Sequence, residues 1–132
     1  MSTARNAPEQ PAIQLIANAV ITDGKGRVLL TRYGDEDEQR WWLPGTDLKP
    51  YEHPDEALGR ALAGLLCAPK SSALHHVESF RGRRGWHVMF NHRVRANATS
   101  ATEQGQWFAA DALPRMAHGR WEQGVIAKVL AR

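Results

Sequence analysis

One helical pattern lies between two groups of strand patterns, and this order constrains the fold more than any other feature of the chain. The apolar, β-rich runs at 13–21 and 27–33 are separated by the turn sequence Asp-Gly-Lys-Gly. Apolar residues at helical spacing then predict a helix over 54–66. Pro54 fits the first turn of that helix, and Pro69 ends it.

Further strand patterns follow the central helix. Residues 73–81 and 86–96 are joined by a glycine-flanked turn and predict a hairpin, and 105–110 is one more short strand. Short strand 41–43 precedes the central helix, and a second helix near the C-terminus has four apolar residues on one face: Trp121, Val125, Ile126 and Val129. The predicted fold class is α/β (α+β), an α/β/α sandwich around a central mixed sheet.

Length and composition indicate one globular domain. The chain has 132 residues, of which 42% are hydrophobic and 23% charged. We expect residues 1–11 to be a flexible lead-in and 12–132 a single domain. The single cysteine, Cys67, excludes an internal disulfide and favours a reducing, cytoplasmic location. No apolar run is long enough for a membrane span, so we expect no membrane partner.

The net charge of +3 mildly favours an anionic ligand. The basic residues are spread over several predicted elements and do not form a clustered stripe. We therefore do not expect a nucleic acid partner.

A loop-helix segment carries a family resemblance. Trp42-Leu43-Pro44-Gly45 is followed by Glu52 and, eight residues later, by Arg60. This spacing resembles the Nudix hydrolases, whose signature runs G-x5-E-x7-R-E-U-x-E-E-x-G-U, where U is a bulky apolar residue, usually after a tryptophan and Pro-Gly. Thr46 takes the place of the first glycine. The resemblance extends from about Ile13 to Leu130 and implies the Nudix-like sandwich fold.

The metal-binding part of that signature is degenerate. Ala61, Gly64 and Leu65 stand where the resemblance places glutamates. In the resembling enzymes these glutamates hold magnesium or manganese against a diphosphate. Positions 61, 64, 65 and 68 would share one helical face, and none of their side chains offers an oxygen. We therefore expect no metal cofactor, with weak Mg²⁺ binding at most, and no ordinary metal-dependent pyrophosphohydrolase activity.

The charged residues that survive from the signature have two interpretations. Glu52 either contacts a cation or pairs with Arg60, and we favour the ion pair because one carboxylate beside an arginine is a poor magnesium site. The Pro-Gly turn at Gly45 either presents backbone groups to a ligand or is a bare loop. In resembling proteins the position of Arg32 lines the ligand cleft, where a guanidinium can grip phosphate or carboxylate. The predicted ligand-binding residues are Arg32, Trp42, Gly45 and Arg60.

The histidines do not form a recognisable metal motif. Strand alternation places His75 and His76 on opposite faces, and His87 and His92 likewise. A composite site of His76 and His87 across the hairpin has no further support from the sequence. The remaining histidines are His53 and His118.

Three functional hypotheses follow. The favoured one is a non-hydrolysing protein that binds a small anionic or nucleotide-like ligand or a partner, because fold alone does not fix function. The alternative is a hydrolase of a nucleoside-diphosphate-like substrate with relocated catalytic groups. Its candidates are Glu52, Glu103, which lies near Trp107, Glu78 or a histidine. A third hypothesis is an interaction module whose apolar helix face forms a homodimer or a hetero-complex.

Overall fold

The computed structural model describes residues 13–34, 40–65, 68–82, 85–97 and 105–131. Within these ranges the chain forms a seven-stranded sheet and two helices. The strands are β1 (Ile13–Thr22), β2 (Arg27–Tyr33), β3 (Arg40–Trp42), β4 (Gly45–Asp47), β5 (Pro69–Gly82), β6 (Gly85–Ala96) and β7 (Gly105–Ala109). The helices are α1 (Pro54–Gly64) and α2 (Arg120–Leu130). The predicted lead-in and Glu103 lie outside the described residues.

The sheet is mixed, as predicted. Its strand order is β3-β2-β1-β6-β5, with β4 paired to β1 and β7 paired to β2. The pairing of β1 with β6 is parallel over ten residue pairs, and the other pairings are antiparallel. The segment after Pro44, interpreted above as a turn or loop, is strand β4. It pairs with residues 16–18 of β1, which local sequence does not reveal because the partner lies far away in the chain.

Alternation along the central strands builds two apolar cores, one on each face of the sheet. Odd-numbered β1 residues face α1, and Val20 faces α2. The α1 core includes Ala17, Ile21, Leu29, Leu58 and Leu62. The α2 core includes Val20, Leu30, Val125, Ile126 and Val129. This arrangement is the predicted α/β/α sandwich.

Helix α1 begins as predicted and ends earlier than predicted. The His53 ring accepts a hydrogen bond from the Asp55 N–H, and the Glu56 side chain accepts one from the His53 N–H, which forms a capping box. The helix ends at Gly64 with Leu65 as its C-cap, whereas the prediction ran to residue 66. Ala68 therefore lies beyond the helix, and placing it on the same helical face as Ala61 was wrong.

The hairpin is longer than the sequence pattern indicated. Strand β5 begins at Pro69, four residues before the predicted start, because polar residues on this exposed edge still pair through their backbones with β6. An irregularity in the register falls between Leu74 and His76. His76 lies opposite Asn91 and His87 opposite Phe80, with the Glu78–Met89 pair between them. The two histidines therefore do not converge across the hairpin. No helix in the described ranges is long and apolar enough to cross a membrane.

Candidate functional site

A cavity of about 650 Å³ lies where α1 meets the ends of β2 and β3 and the start of β4. Its volume is within the range of roughly 300–1,000 Å³ that is typical of small-ligand sites. The four predicted ligand-binding residues all line it: Arg32, Trp42, Gly45 and Arg60. The three positions where the resemblance places glutamates line it as well: Ala61, Gly64 and Leu65. The structure thus brings the predicted residues together, while their role in binding stays a prediction.

Three lining residues were not among the predicted site residues: Thr31, Pro44 and Thr46. Thr31 reaches the site because it lies opposite Trp42 in the pairing of β2 with β3. Its hydroxyl donates a hydrogen bond of 3.5 Å to the Trp42 carbonyl. The register between β2 and β3 is what brings Thr31 to the cavity, and that register cannot be read from local sequence. Pro44 and Thr46 had a signal in the signature lead-in, where they flank Gly45.

Glu52 and Arg60 form the predicted ion pair at the rim of the cavity. The Arg60 Nε donates to Glu52 Oε2 at 2.8 Å, and Nη2 donates to Oε1 at 2.7 Å. Arg60 Nη2 also donates to the Asp47 carbonyl at 2.9 Å. The Lys49 N–H donates to Glu52 Oε1 at 2.9 Å. Both carboxylate oxygens of Glu52 are therefore engaged, and the pair ties the loop after β4 to the middle of α1.

The ion pair changes the protonation of both residues. The hydrogen bonds from Arg60, followed by that from the Lys49 N–H, lower the pKa of Glu52 from 4.5 to about 2. The hydrogen bond from Glu52 raises the pKa of Arg60. Because the pKa of Glu52 is lowered by folding, the contact stabilises the fold above pH 4.5. That stabilisation is lost as the pH falls from 4.5 towards 2.

We expect Arg60→Met to raise the pKa of Glu52 from about 2 towards 4.5, because the largest cause of the lowering is removed. A ¹³C NMR titration of the Glu52 side-chain carboxyl measures this pKa directly. Arg81→Met is the matched control, since Arg81 is an exposed arginine of β5 outside the site. An unchanged Glu52 midpoint in Arg60→Met would contradict the pairing.

Gly45 is required by the packing of β4 on β1. A Cβ atom at this position would lie 2.2 Å from Asn18 Oδ1 and 2.6 Å from the Ala17 carbonyl oxygen. Asn18 and Gly45 are cross-strand partners, so this close approach is built into the sheet. Glycine at this position therefore has a structural reason, and its backbone also forms part of the cavity wall.

Aromatic residues surround Trp42, which is 40% exposed. Tyr33 meets it edge-on at 4.7 Å between ring centroids, and the His118 ring stacks on it at 6.2 Å. The fully buried carboxylate of Glu122 holds His118 through contacts of 2.8 Å to its N–H and 2.9 Å to Nδ1. Trp42 is thus an indole at the cavity wall whose ring contacts Tyr33 and His118. No sequence pattern indicated that His118 contacts Trp42.

Arg32 has no acidic partner among the described residues. Its guanidinium carbon lies 5.2 Å from the centroid of the Trp41 ring, a cation–π contact. None of the ion pairs in the described part of the chain includes it. Arg60, the other cationic lining residue, is already paired with Glu52. Trp41 packs with the α2 core, so the Arg32 guanidinium would have to leave that ring to reach an anion in the cavity beside α1.

The described lining of the cavity does not fit a resident divalent metal. Magnesium requires about six oxygen ligands, usually including carboxylates. None of the lining residues is an aspartate or a glutamate. Leu65 is only 6% exposed and packs in the α1 core, so its side chain fills the position of a predicted glutamate with apolar contacts. In the described ranges no group of three or more histidine, cysteine or acidic residues is placed to hold a metal.

The described residues that were candidates for relocated catalysis do not come together at the cavity. Glu52 is bound to Arg60 at the rim. Glu78 accepts a hydrogen bond of 2.8 Å from Trp121 Nε1 on the other face of the sheet. None of the six histidines is among the lining residues. Glu103 lies outside the described residues.

Several solved structures are similar in fold to this chain. The NUDIX domain of NrtR from Shewanella oneidensis, complexed with ADP ribose, is 22% identical, with 97% of this chain covering 96% of that chain at a TM-score of 0.65. The MutT NUDIX hydrolase from Burkholderia pseudomallei is 22% identical, with 89% covering 98% at a TM-score of 0.66. NrtR of S. oneidensis complexed with a 27mer DNA is 19% identical at a TM-score of 0.68, and 87% of this chain spans 59% of that chain.

The chain therefore has the Nudix fold. No protein-family model and no curated protein matches its sequence. The cavity beside α1 lies at the segment that resembles the Nudix signature, from Trp42 to Leu65.

Proposed function

We propose that this protein uses the cavity beside α1 to bind a small anionic, nucleotide-like ligand without hydrolysing it. One observation carries the proposal. The described lining combines an unpaired guanidinium and an exposed indole with no carboxylate that could hold a metal. Such a lining suits the recognition of an anion and a planar ring, and it lacks the ligands of metal-assisted hydrolysis.

We place the anionic subsite at Arg32, whose guanidinium would turn from Trp41 towards the cavity to reach the ligand. A guanidinium can donate two parallel hydrogen bonds to a phosphate or carboxylate group. Arg60 adds less charge because its guanidinium already neutralises Glu52. One available cation supports a ligand that presents one anionic group at this point, or a diphosphate whose second charge stays in solvent.

Trp42 supplies the stacking subsite. Its ring lines the cavity, and its other contacts come from Tyr33 and His118. A supported, exposed indole gives a base or another planar ring a preorganised surface with little loss of side-chain entropy. ADP ribose, which the NrtR NUDIX domain holds, contains both a planar base and phosphates, so it is a suitable probe.

The alternative of relocated catalysis receives less support from the described residues. A pKa of about 2 makes Glu52 a weak base near neutral pH, and both of its oxygens already accept hydrogen bonds. The homodimer hypothesis relied on an apolar face of α1. Leu65 is 6% exposed and packs in the α1 core, so Ala61 and Gly64 are the more exposed residues of that face. The oligomeric state stays a prediction that size-exclusion mass can test.

We expect isothermal titration with ADP-ribose in EDTA to give saturable binding. Arg32→Met should weaken it at least about tenfold, because a hydrogen bond to a charged group contributes about 1.5–3 kcal/mol. Trp42→Ala should weaken it by a similar factor, since stacking of a base contributes about 1–3 kcal/mol. Arg81→Met, which removes the same charge outside the cavity, should leave the affinity within about twofold. Equal weakening by Arg32→Met and Arg81→Met would contradict the proposed site.

A further inference from the structure

A second cavity of about 320 Å³ lies at the edge of the sheet, where the ends of β1 and β6 meet the start of β5. It shares no lining residue with the cavity beside α1. Its lining includes two arginines, Arg93 and Arg95, and three hydroxyl residues: Thr22, Ser71 and Ser72. Gly24 and Ala73 complete the lining.

The two arginines lie on the same side of β6 because they are two residues apart. Their Cα atoms are separated by roughly 7 Å, so both long side chains can reach one anion between them. Register supports the same grouping, since Arg95 pairs with Ser71 and Arg93 with Ala73. Neither arginine takes part in an ion pair within the described ranges.

Gly24 fixes where the guanidinium of Arg95 lies. A Cβ atom on Gly24 would stand 2.6 Å from Arg95 Nη2 and 2.8 Å from its Cζ. The guanidinium therefore packs directly on the turn after β1, and Gly24 also has a φ of 77°, which favours glycine. This contact places the guanidinium beside the turn that lines the cavity.

Asp23, the acidic residue of this turn, already accepts hydrogen bonds from neighbouring residues. Asp23 Oδ1 accepts hydrogen bonds from the N–H groups of Lys25 and Arg27, at 2.7 Å and 3.1 Å. Its Oδ2 accepts one from Arg27 Nε at 2.7 Å. The carboxylate of Asp23 is thus used within its own turn. The charge of the two cavity arginines is left for a ligand.

We propose that this second cavity binds the phosphate group of a small molecule. A phosphate monoester has three terminal oxygens and inorganic phosphate has four, and these can accept hydrogen bonds from two guanidiniums and from the Ser71 hydroxyl at once. A carboxylate, which is planar and carries one charge, would use one guanidinium fork and leave the other unpaired. The ligand class is therefore a phosphate monoester or free phosphate, and the site is independent of the function proposed for the cavity beside α1.

The test is a ¹⁵N–¹H NMR titration of the full chain with inorganic phosphate and with phenyl phosphate, at constant ionic strength held with sodium chloride. We expect saturable shifts at the amides of Gly24, Ser71, Ser72 and Ala73. Arg93→Met and Arg95→Met should each weaken binding at least tenfold. Arg95→Lys should weaken binding less than Arg95→Met, because lysine keeps the positive charge and lacks only the paired N–H donors of the guanidinium.

Arg81→Met is the matched control, because Arg81 lies ten residues along β5 from Ser71. Its affinity should stay within twofold of the unmodified chain. Tighter binding of phenyl phosphate would assign the site to an ester, and tighter binding of inorganic phosphate would assign it to the free ion. Shifts that do not saturate, that sodium chloride reproduces, or that Arg81→Met weakens as much as Arg95→Met would overturn the proposal.

Discussion

Turnover of ADP-ribose with Mg²⁺ or Mn²⁺ should stay at least about a thousandfold below the 1 per second of an ordinary enzyme. The reason is the described lining of the cavity, in which Ala61, Gly64 and Leu65 supply no carboxylate. A metal contributes several kcal/mol of charge stabilisation in such reactions, and about 4 kcal/mol corresponds to a thousandfold in rate. Product formation measured with each metal, and with EDTA as the control, checks this result. Chelator-sensitive turnover near 1 per second would show that the catalytic metal is held by other residues.

The missing carboxylates can also be tested by adding them and measuring whether metal binding increases. Ala61→Glu combined with Gly64→Glu adds two carboxylates to the cavity and leaves the buried Leu65 in place. A side chain at position 64 has room, because no atom lies within 4 Å of its added Cβ. We expect this variant to bind Mn²⁺ more tightly than the unmodified chain in an electron paramagnetic resonance titration. The matched control is Gly59→Glu with Ala63→Glu, which changes the same residue types at exposed positions of α1 outside the cavity. Equal gains in both variants would show that added charge alone, without the cavity, explains the binding.

Leu62→Ala should lower the free energy of unfolding by about 2–5 kcal/mol. Leu62 is 4% exposed and joins α1 to the core formed by Ala17, Ile21 and Leu29. Truncation removes buried apolar area and leaves a cavity that the sheet cannot close fully. Urea unfolding followed by circular dichroism measures the change, provided that the transition has two states.

The control for that experiment is Leu74→Ala, the same truncation at a side chain of β5 that is 49% exposed. Its effect should stay within about 0.5 kcal/mol. A loss below about 0.5 kcal/mol in Leu62→Ala would mean that this face of α1 does not pack on the sheet in solution.

Local sequence was sufficient for the elements whose apolar pattern is strong. The apolar positions of α1 and α2 repeat at helical spacing, and the structure places Leu58, Leu62, Val125 and Val129 in the two cores. The pairing of Glu52 with Arg60 followed from a spacing within one loop-helix segment, and the structure has that pair. Both successes depend on residues close together in the chain.

What sequence could not supply was register between distant segments. Strand β4 has three residues and is defined by its partners in β1, about thirty residues away. The position of Thr31 at the cavity and the stacking of His118 on Trp42 have the same origin. The second cavity likewise depends on the approach of β5 and β6 to the turn after β1. The end of α1 was missed because Leu65 continues the apolar pattern after the helix has ended.

At position 65 the fold requires an apolar side chain, whereas a metal site in the cavity would require a carboxylate. The side chain lies in the α1 core and also closes one wall of the cavity. A glutamate there would move a charge among the apolar residues of that core, at a cost in stability. A designer who wanted to install a hydrolytic site in this chain would therefore have to rebuild part of the core before adding that carboxylate. Position 65 is a barrier to such a change, whereas positions 61 and 64 can be altered first.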